Sequence, residues 1–320
     1  MTANKLNFTY MKKVFLLFLI GTITFAQQKT NILPESDKVE GTITRIDNFP
    51  TKNITPRNVD IWLPKEYSKS KKYSVIYMHD GQNLFDGNST WNKQEWMTDE
   101  IASKLMNEKK VVDFIIVGIH NIPNIRFLDL YPTKTLNYIP KKVKDSVFAE
   151  AQKRGMKITE EDFNGDNYLK FIVEELKPYV DANFSTLKEA NNTFIGGSSM
   201  GGLMSMYGIC EYPEVFSGAI CISTHWPGMI PQNNNPIPAS FFAYLKEKIP
   251  SPENHKFYFD FGTETLDQFY PQYEDTVNKL FYDKGYSIQN FKNLRFEGEN
   301  HTELSWQKRL DIPFLFMLKK

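Results

Sequence analysis

The chain has 320 residues, 41% of them hydrophobic and 24% charged, a balance that builds a core and excludes intrinsic disorder. Lys+Arg and Asp+Glu both number 38, so no basic excess points to nucleic acid and no like-charge block marks an interaction tail. The two cysteines, Cys210 and Cys221, stand at no metal-binding spacing and are too few for a disulfide scaffold; they read as buried thiols, with a single bridge open to them in an oxidising compartment.

Residues 1–26 read as a secretory signal peptide. Lys12 and Lys13 precede an uncharged run from Val14 to Phe25, and Ala26 supplies the small residue at a cleavage point. The run is far shorter than the roughly 20 residues that span a bilayer. Its removal leaves 35 basic and 38 acidic side chains, a net charge of −3, and predicts a secreted or periplasmic protein. Residues 27–320 then form one domain, with no repeat and no linker to divide them.

Residues 40–47 and 58–63 predict two strands, antiparallel at one sheet edge. Tyr73 to Met78 is a third, ending at His79-Asp80-Gly81, and residues 95–108 carry helical spacing. Asp113 to Ile119 is a buried strand. The segment from Asn121 to Asn167 is polar and punctuated by proline, with one helix expected near 145–155. It predicts an insertion over the site. A helix from Tyr168 to Val180 follows, then the strand Thr193-Phe194-Ile195. Ser217 to Ser223, Lys256 to Phe261 and Phe291 to Phe296 complete the strands, with helices over 272–284 and 303–319. Apolar strands alternating with helices predict an α/β fold: a mostly parallel sheet covered on both faces, with its ligand beyond the carboxyl ends of the strands.

The strand at 193–195 runs into Gly196-Gly197-Ser198-Ser199-Met200-Gly201-Gly202 and then a helix. Gly-x-Ser-x-Gly between strand and helix is a nucleophile elbow. The turn is sharp, so its neighbours must be tiny, and the helix N-terminus lies where an oxyanion would form. Ser199 is the expected nucleophile. In the chain order Ser, acid, His, the histidines 79 and 120 come too early, His255 lies at the wrong end of its strand, and no acid-bearing strand separates His225 from Ser199. His301, after the last strand, is the expected base. The acid should follow the strand 257–261. Asp260 lies inside that strand and faces the sheet; Glu264 and Asp267 both lie beyond Gly262, and loop position favours Asp267. The expected oxyanion donors are the N–H groups of Met200 and of Gln82, where Gly81 permits close backbone approach.

Three segments carry a resemblance: Val75–Asp86 (with His79-Asp80-Gly81-Gln82-Asn83), Gly196–Gly202, and Gly298–Trp306. Together they resemble the esterase branch of the α/β-hydrolase superfamily, which holds esterase D (S-formylglutathione hydrolase), enterochelin esterase, feruloyl and acetylxylan esterase modules, and the mycolyltransferases. The resemblance spans roughly residues 40–318. It implies acyl transfer through Ser199, His301 and an acid, with the donors at Met200 and Gln82 and without metal or organic cofactor. Many relatives carry the acid nearer the strand-end glycine, which keeps Glu264 beside Asp267. The signal peptide argues against a cytosolic thioester, and the resemblance to exported members of the branch implies carbohydrate-linked or siderophore-type esters. Trp226, Tyr131 and Tyr138 are placed to stack an aromatic acyl group or a sugar, or to pack beneath the insertion. A sugar or lipid hydroxyl as acceptor would make the protein an acyltransferase. A non-catalytic binding protein is the remaining alternative.

Overall fold

The computed structural model describes residues 30–33, 39–90, 92–153, 155, 157–229, 231–232 and 235–320. The expected signal peptide lies outside them. No helix among the described residues is long and apolar enough to cross a membrane.

Among the described residues nine strands form one sheet: β1 Thr30–Ile32, β2 Thr42–Ile46, β3 Val59–Leu63, β4 Ser74–His79, β5 Phe114–Ile119, β6 Thr193–Ser198, β7 Gly218–Ile222, β8 Lys256–Gly262 and β9 Phe291–Phe296. Their spatial order is β1-β2-β3-β5-β4-β6-β7-β8-β9. The first three run antiparallel, as β3 also does to β5; every pairing from β5 to β9 is parallel. The carboxyl ends of β4 to β9 therefore share one rim, and the loops that leave it carry the candidate residues.

Side chains alternate across the sheet, as the two-residue period of a strand requires. Val75 and Tyr77 of β4 enter one core, Ile76 and Met78 the other. The first core is closed by the helical stretch 165–183 and by helices Met200–Glu211, Pro238–Lys248 and Glu274–Asp283. Helices Thr98–Asn107 and Asp311–Leu318 close the second. Every residue of Met200–Glu211 except Glu211 is buried, as expected of a helix that is apolar on all sides.

Several elements differ from the sequence expectation. β1 and the helix Pro238–Lys248 are additional, and the insertion's helix runs Lys141–Lys153. The helix expected over 168–180 passes through a π turn, Phe171–Leu176, just before Pro178. Proline cannot make the i→i−4 bond, and the wider turn absorbs its missing donor. The helix expected over 303–319 is two, Glu303–Gln307 and Asp311–Leu318. Pro313 sits in the first turn of the second piece, where a missing N–H costs nothing, and the break frees Arg309 to turn inward.

Candidate active site

At the end of β6 the chain turns sharply. Ser199 has φ 56° and ψ −120°, a conformation that a side-chain-bearing residue keeps only when its surroundings impose it. The Ser199 N–H donates to the Ile222 carbonyl at 2.9 Å, and the Ser199 carbonyl accepts from Leu203 at 3.1 Å and His225 at 3.2 Å. A Cβ on Gly197 would lie 3.0 Å from the His79 ring and 3.1 Å from the Gly201 backbone, so a side chain there would crowd the turn. Met200 begins the helix, and its N–H has no intrahelical acceptor.

Asp267 follows β8 in a short 3₁₀ turn and is fully buried. Its Oδ1 accepts from His301 Nδ1 at 2.5 Å; its Oδ2 accepts from the Gly262 N–H at 2.6 Å and the Ser223 hydroxyl at 2.6 Å. Glu264, the other carboxylate considered, is exposed and serves as the N-cap residue of that turn. The loops after β8 and β9 are tied together: the Glu299 carbonyl accepts from Thr263 and Glu264, both at 3.1 Å, and the His301 N–H donates to Thr265 Oγ1 at 2.9 Å. A Cβ on Gly262 would lie 2.1 Å from the Glu299 carbonyl oxygen, so only glycine fits between the loops. The His301 ring meets Trp306 edge-on at 5.1 Å and Tyr270 at 6.0 Å.

His225 stands beside Ser199. The His225 N–H reaches the Ser199 carbonyl, and its Nδ1 accepts from the Tyr270 hydroxyl at 2.8 Å while Nε2 donates to the Gly228 carbonyl at 2.9 Å. Burial, with the neighbouring His301 adding to it, pushes His225 down to about 4, so it stands neutral. His79 is likewise pushed down to about 4 by burial; its Nδ1 pairs with the Tyr168 hydroxyl at 2.9 Å beneath the elbow. His120 bonds Asp60 at 2.8 Å, and His255 bonds two carbonyls at the opposite rim.

Gln82 lies in the turn Gly81–Asn83 beyond β4. The insertion holds that turn. Arg126 donates twice to Asp80, both at 2.7 Å; Asn121 donates its side chain to Asp80 at 2.6 Å and its N–H to Gln82 Oε1 at 3.1 Å. Burial opposes the charge on Asp80, but the Arg126 guanidinium and these hydrogen bonds outweigh it and hold the carboxyl below its usual range.

Of the aromatics that could stack a substrate or pack beneath the insertion, two are core residues. Trp226 packs between Phe242 at 5.3 Å and Phe259 at 5.6 Å, and Tyr131 is enclosed by Phe127, Phe163 and Phe241. Tyr138 stays at the surface, bonding Glu247 at 2.7 Å. Cys210 and Cys221 are both free and buried, and burial raises both thiols.

One group of three carboxylates, Glu95, Asp99 and Glu100, brings its oxygens within 4.8 Å. Burial, then the neighbouring Glu100, pushes Asp99 up to about 9.

A family model described as "Putative esterase" matches residues 54–311. "Uncharacterized protein YbbA" of Bacillus subtilis is 22% identical over 53% of this chain and 58% of its own length. An "Endo-1,4-beta-xylanase/feruloyl esterase" of Xylanibacter ruminicola is 21% identical over 85% of this chain and 30% of its own. The chain thus spans well under two thirds of either relative. Among solved structures, a ferulic acid esterase superposes with a TM-score of 0.61 at 16% identity, covering 88% of this chain and 98% of that one. The enterobactin esterase FES from Shigella flexneri does so with 0.59 at 13% identity, covering 88% and 61%. The shared architecture is the α/β-hydrolase fold.

Proposed function

The chain belongs to the esterase family, and from the geometry at its strand ends we propose that it is a serine carboxylic-ester hydrolase. The observation that carries this reading is the 2.5 Å bond from His301 Nδ1 to a buried Asp267, on the rim where Ser199 occupies its strained turn. A carboxylate on Nδ1 fixes the imidazole tautomer and leaves Nε2 as the base.

The reaction runs as acyl transfer. His301 Nε2 takes the Ser199 Oγ proton as Oγ attacks the ester carbonyl carbon. The carbonyl oxygen becomes an oxyanion facing the N–H groups of Met200 and Gln82, and helix Met200–Glu211 presents its positive end there. Collapse breaks the C–O bond, and the imidazolium gives its proton to the leaving alcohol. Water, deprotonated by His301, attacks the acyl-enzyme; Ser199 regains its proton and the acid departs.

We assign the substrate to carbohydrate-linked or siderophore-type esters. The feruloyl and enterobactin esterases among its relatives support that class, and a signal peptide at residues 1–26 would place the protein outside the cytoplasm. A panel of feruloyl, acetyl-sugar and catecholate esters, read as turnover per active site, tests the reading; hydrolysis of none overturns it. Mass spectrometry of the protein from its native host should find an N-terminus near Gln27, and an intact leader on cytosolic protein would reject export.

A further inference from the structure

Beneath Asp267 lies a buried polar knot that the reaction above does not use. Ser223, just after β7, is fully buried with φ 42°, a left-handed conformation unusual for a residue with a side chain. Its N–H donates to Asp260 Oδ1 at 3.0 Å. Its hydroxyl oxygen has three neighbours: Asp267 Oδ2 at 2.6 Å, Trp306 Nε1 at 2.9 Å and Arg309 Nη2 at 2.9 Å. An indole N–H and a guanidinium N–H can only donate. Together they fill both acceptor positions of the hydroxyl, and its one proton must point at Asp267.

The knot is anchored from below. Arg309 also donates to Asp260, from Nη2 at 3.0 Å and from Nε at 3.2 Å, and Asp260 takes the Tyr258 hydroxyl at 2.9 Å. Arg309 and Asp260 are 2% and 1% exposed, so neither can turn to water in place of Ser223. Trp306 has a second task. Its ring meets His301 edge-on, so one residue touches the imidazole with its ring and orients the Ser223 hydroxyl with its N–H.

We propose that Ser223 is a positioning residue of the site: held as a one-way donor by Trp306 and Arg309, it fixes Asp267 as a carboxylate acceptor whose remaining oxygen is free only for His301. The proposal rests on the triad reading. Oδ2 is occupied by two donors, so the carboxylate cannot rotate to offer His301 a protonated face. Local strain at Ser223 is retained because the same residue meets four partners at once.

The test uses Ser223→Ala and Ser223→Gly; glycine accepts φ 42° and guards against a mere failure to fold. Both should keep the wild-type circular dichroism and KM for an aryl ester while kcat falls about 10- to 100-fold, the scale of one lost buried donor. The low-field proton resonance of the His301 Nδ1–H in the free enzyme should shift or disappear. In an Asp267→Asn background, Ser223→Ala should cost less than about twofold more, because its effect acts through Asp267. Folded variants with wild-type kcat and an unmoved resonance would overturn the proposal, as would a loss that multiplies fully on top of Asp267→Asn. If Asp267→Asn alone turns over at the wild-type rate, the triad reading fails, and the resonance by itself decides for or against Ser223.

Discussion

Asp267 and His301, 34 residues apart in the chain, meet across the loops that follow β8 and β9, while Glu264, three residues before Asp267, faces solvent. The two carboxylates that the sequence left in play, with loop position favouring Asp267, thus have opposite surroundings. In the proposed reaction the buried one would stabilise the imidazolium that forms during attack, while the exposed one is screened by water.

Asp267→Asn should therefore lose about three to four orders of magnitude in kcat, as triad acids do, while KM changes little. Glu264→Gln should stay within about tenfold of wild type by the same comparison. Steady-state kinetics on one aryl ester gives both numbers, and the reverse ranking would hand the role to Glu264.

Ser199 separates chemistry from strain. Ser199→Ala should lose turnover by several orders of magnitude and resist fluorophosphonate labelling, yet keep the φ of 56°. Ser199→Gly should be equally inactive but relieve the turn, and should be more stable than the alanine variant by about 1 kcal/mol. Urea unfolding of the pair reads the difference; labelling of Ser198 instead would contradict the assignment.

The clamp of Arg126 on Asp80 supports the turn that carries Gln82. Arg126→Met leaves a buried carboxylate without its cation and should destabilise by roughly 3 kcal/mol. Adding Asp80→Asn should recover part of that loss, since the stranded charge is then gone. A chemical-denaturation cycle measures it, and additivity of the two changes would mean that the residues do not act as a pair.

Asp99 should make stability fall as pH rises. Burial, then the neighbouring Glu100, pushes its carboxyl up from an ordinary 3.8 to about 9, so between those values the native state should hold a proton that the unfolded state has released. Stability from this group is complete below the lower value and drains away toward the higher one. Asp99→Asn mimics the protonated acid and keeps an acceptor for the Glu40 N–H. The variant's Tm should match wild type near about pH 4 and exceed it increasingly up to about pH 9. Equal Tm values at pH 8 would mean that Asp99 is already ionised.

Apolar strands alternating with helices made the sheet legible, and the motif glycines and the chain order pointed to Ser199 and His301 as candidates, because a sharp strand-to-helix turn and a strand-end loop both leave a local trace in the sequence. Asp267 was readable as one of two carboxylates; choosing between them needs the direction of each side chain. Trp226 and Tyr131 illustrate the limit. An aromatic at a strand end or in an insertion suits a cleft or a core equally, and here Phe242, Phe259 and Phe163 claim them. Ser223 gave no signal at all. Its partners stand 37 to 86 residues away, and no pattern in the chain ties a serine to an arginine over that span. Helix Pro238–Lys248 escaped notice for a related reason: its buried Phe241, Tyr244 and Leu245 follow a Pro-, Asn- and Gln-rich stretch that reads as loop.

Gly262 has a consequence for motion. With no room for a side chain between it and Glu299, and with Thr263, Glu264, Gly298 and His301 all donating across the gap, the loops after β8 and β9 have no independent way to open. They should breathe as one unit. The amides of Thr263, Glu264 and His301 should then exchange with deuterium through a single shared opening, at one common free energy. An acid and a base that leave and return together are never caught half-assembled, so the fluctuations of this rim would switch the site wholly on or wholly off.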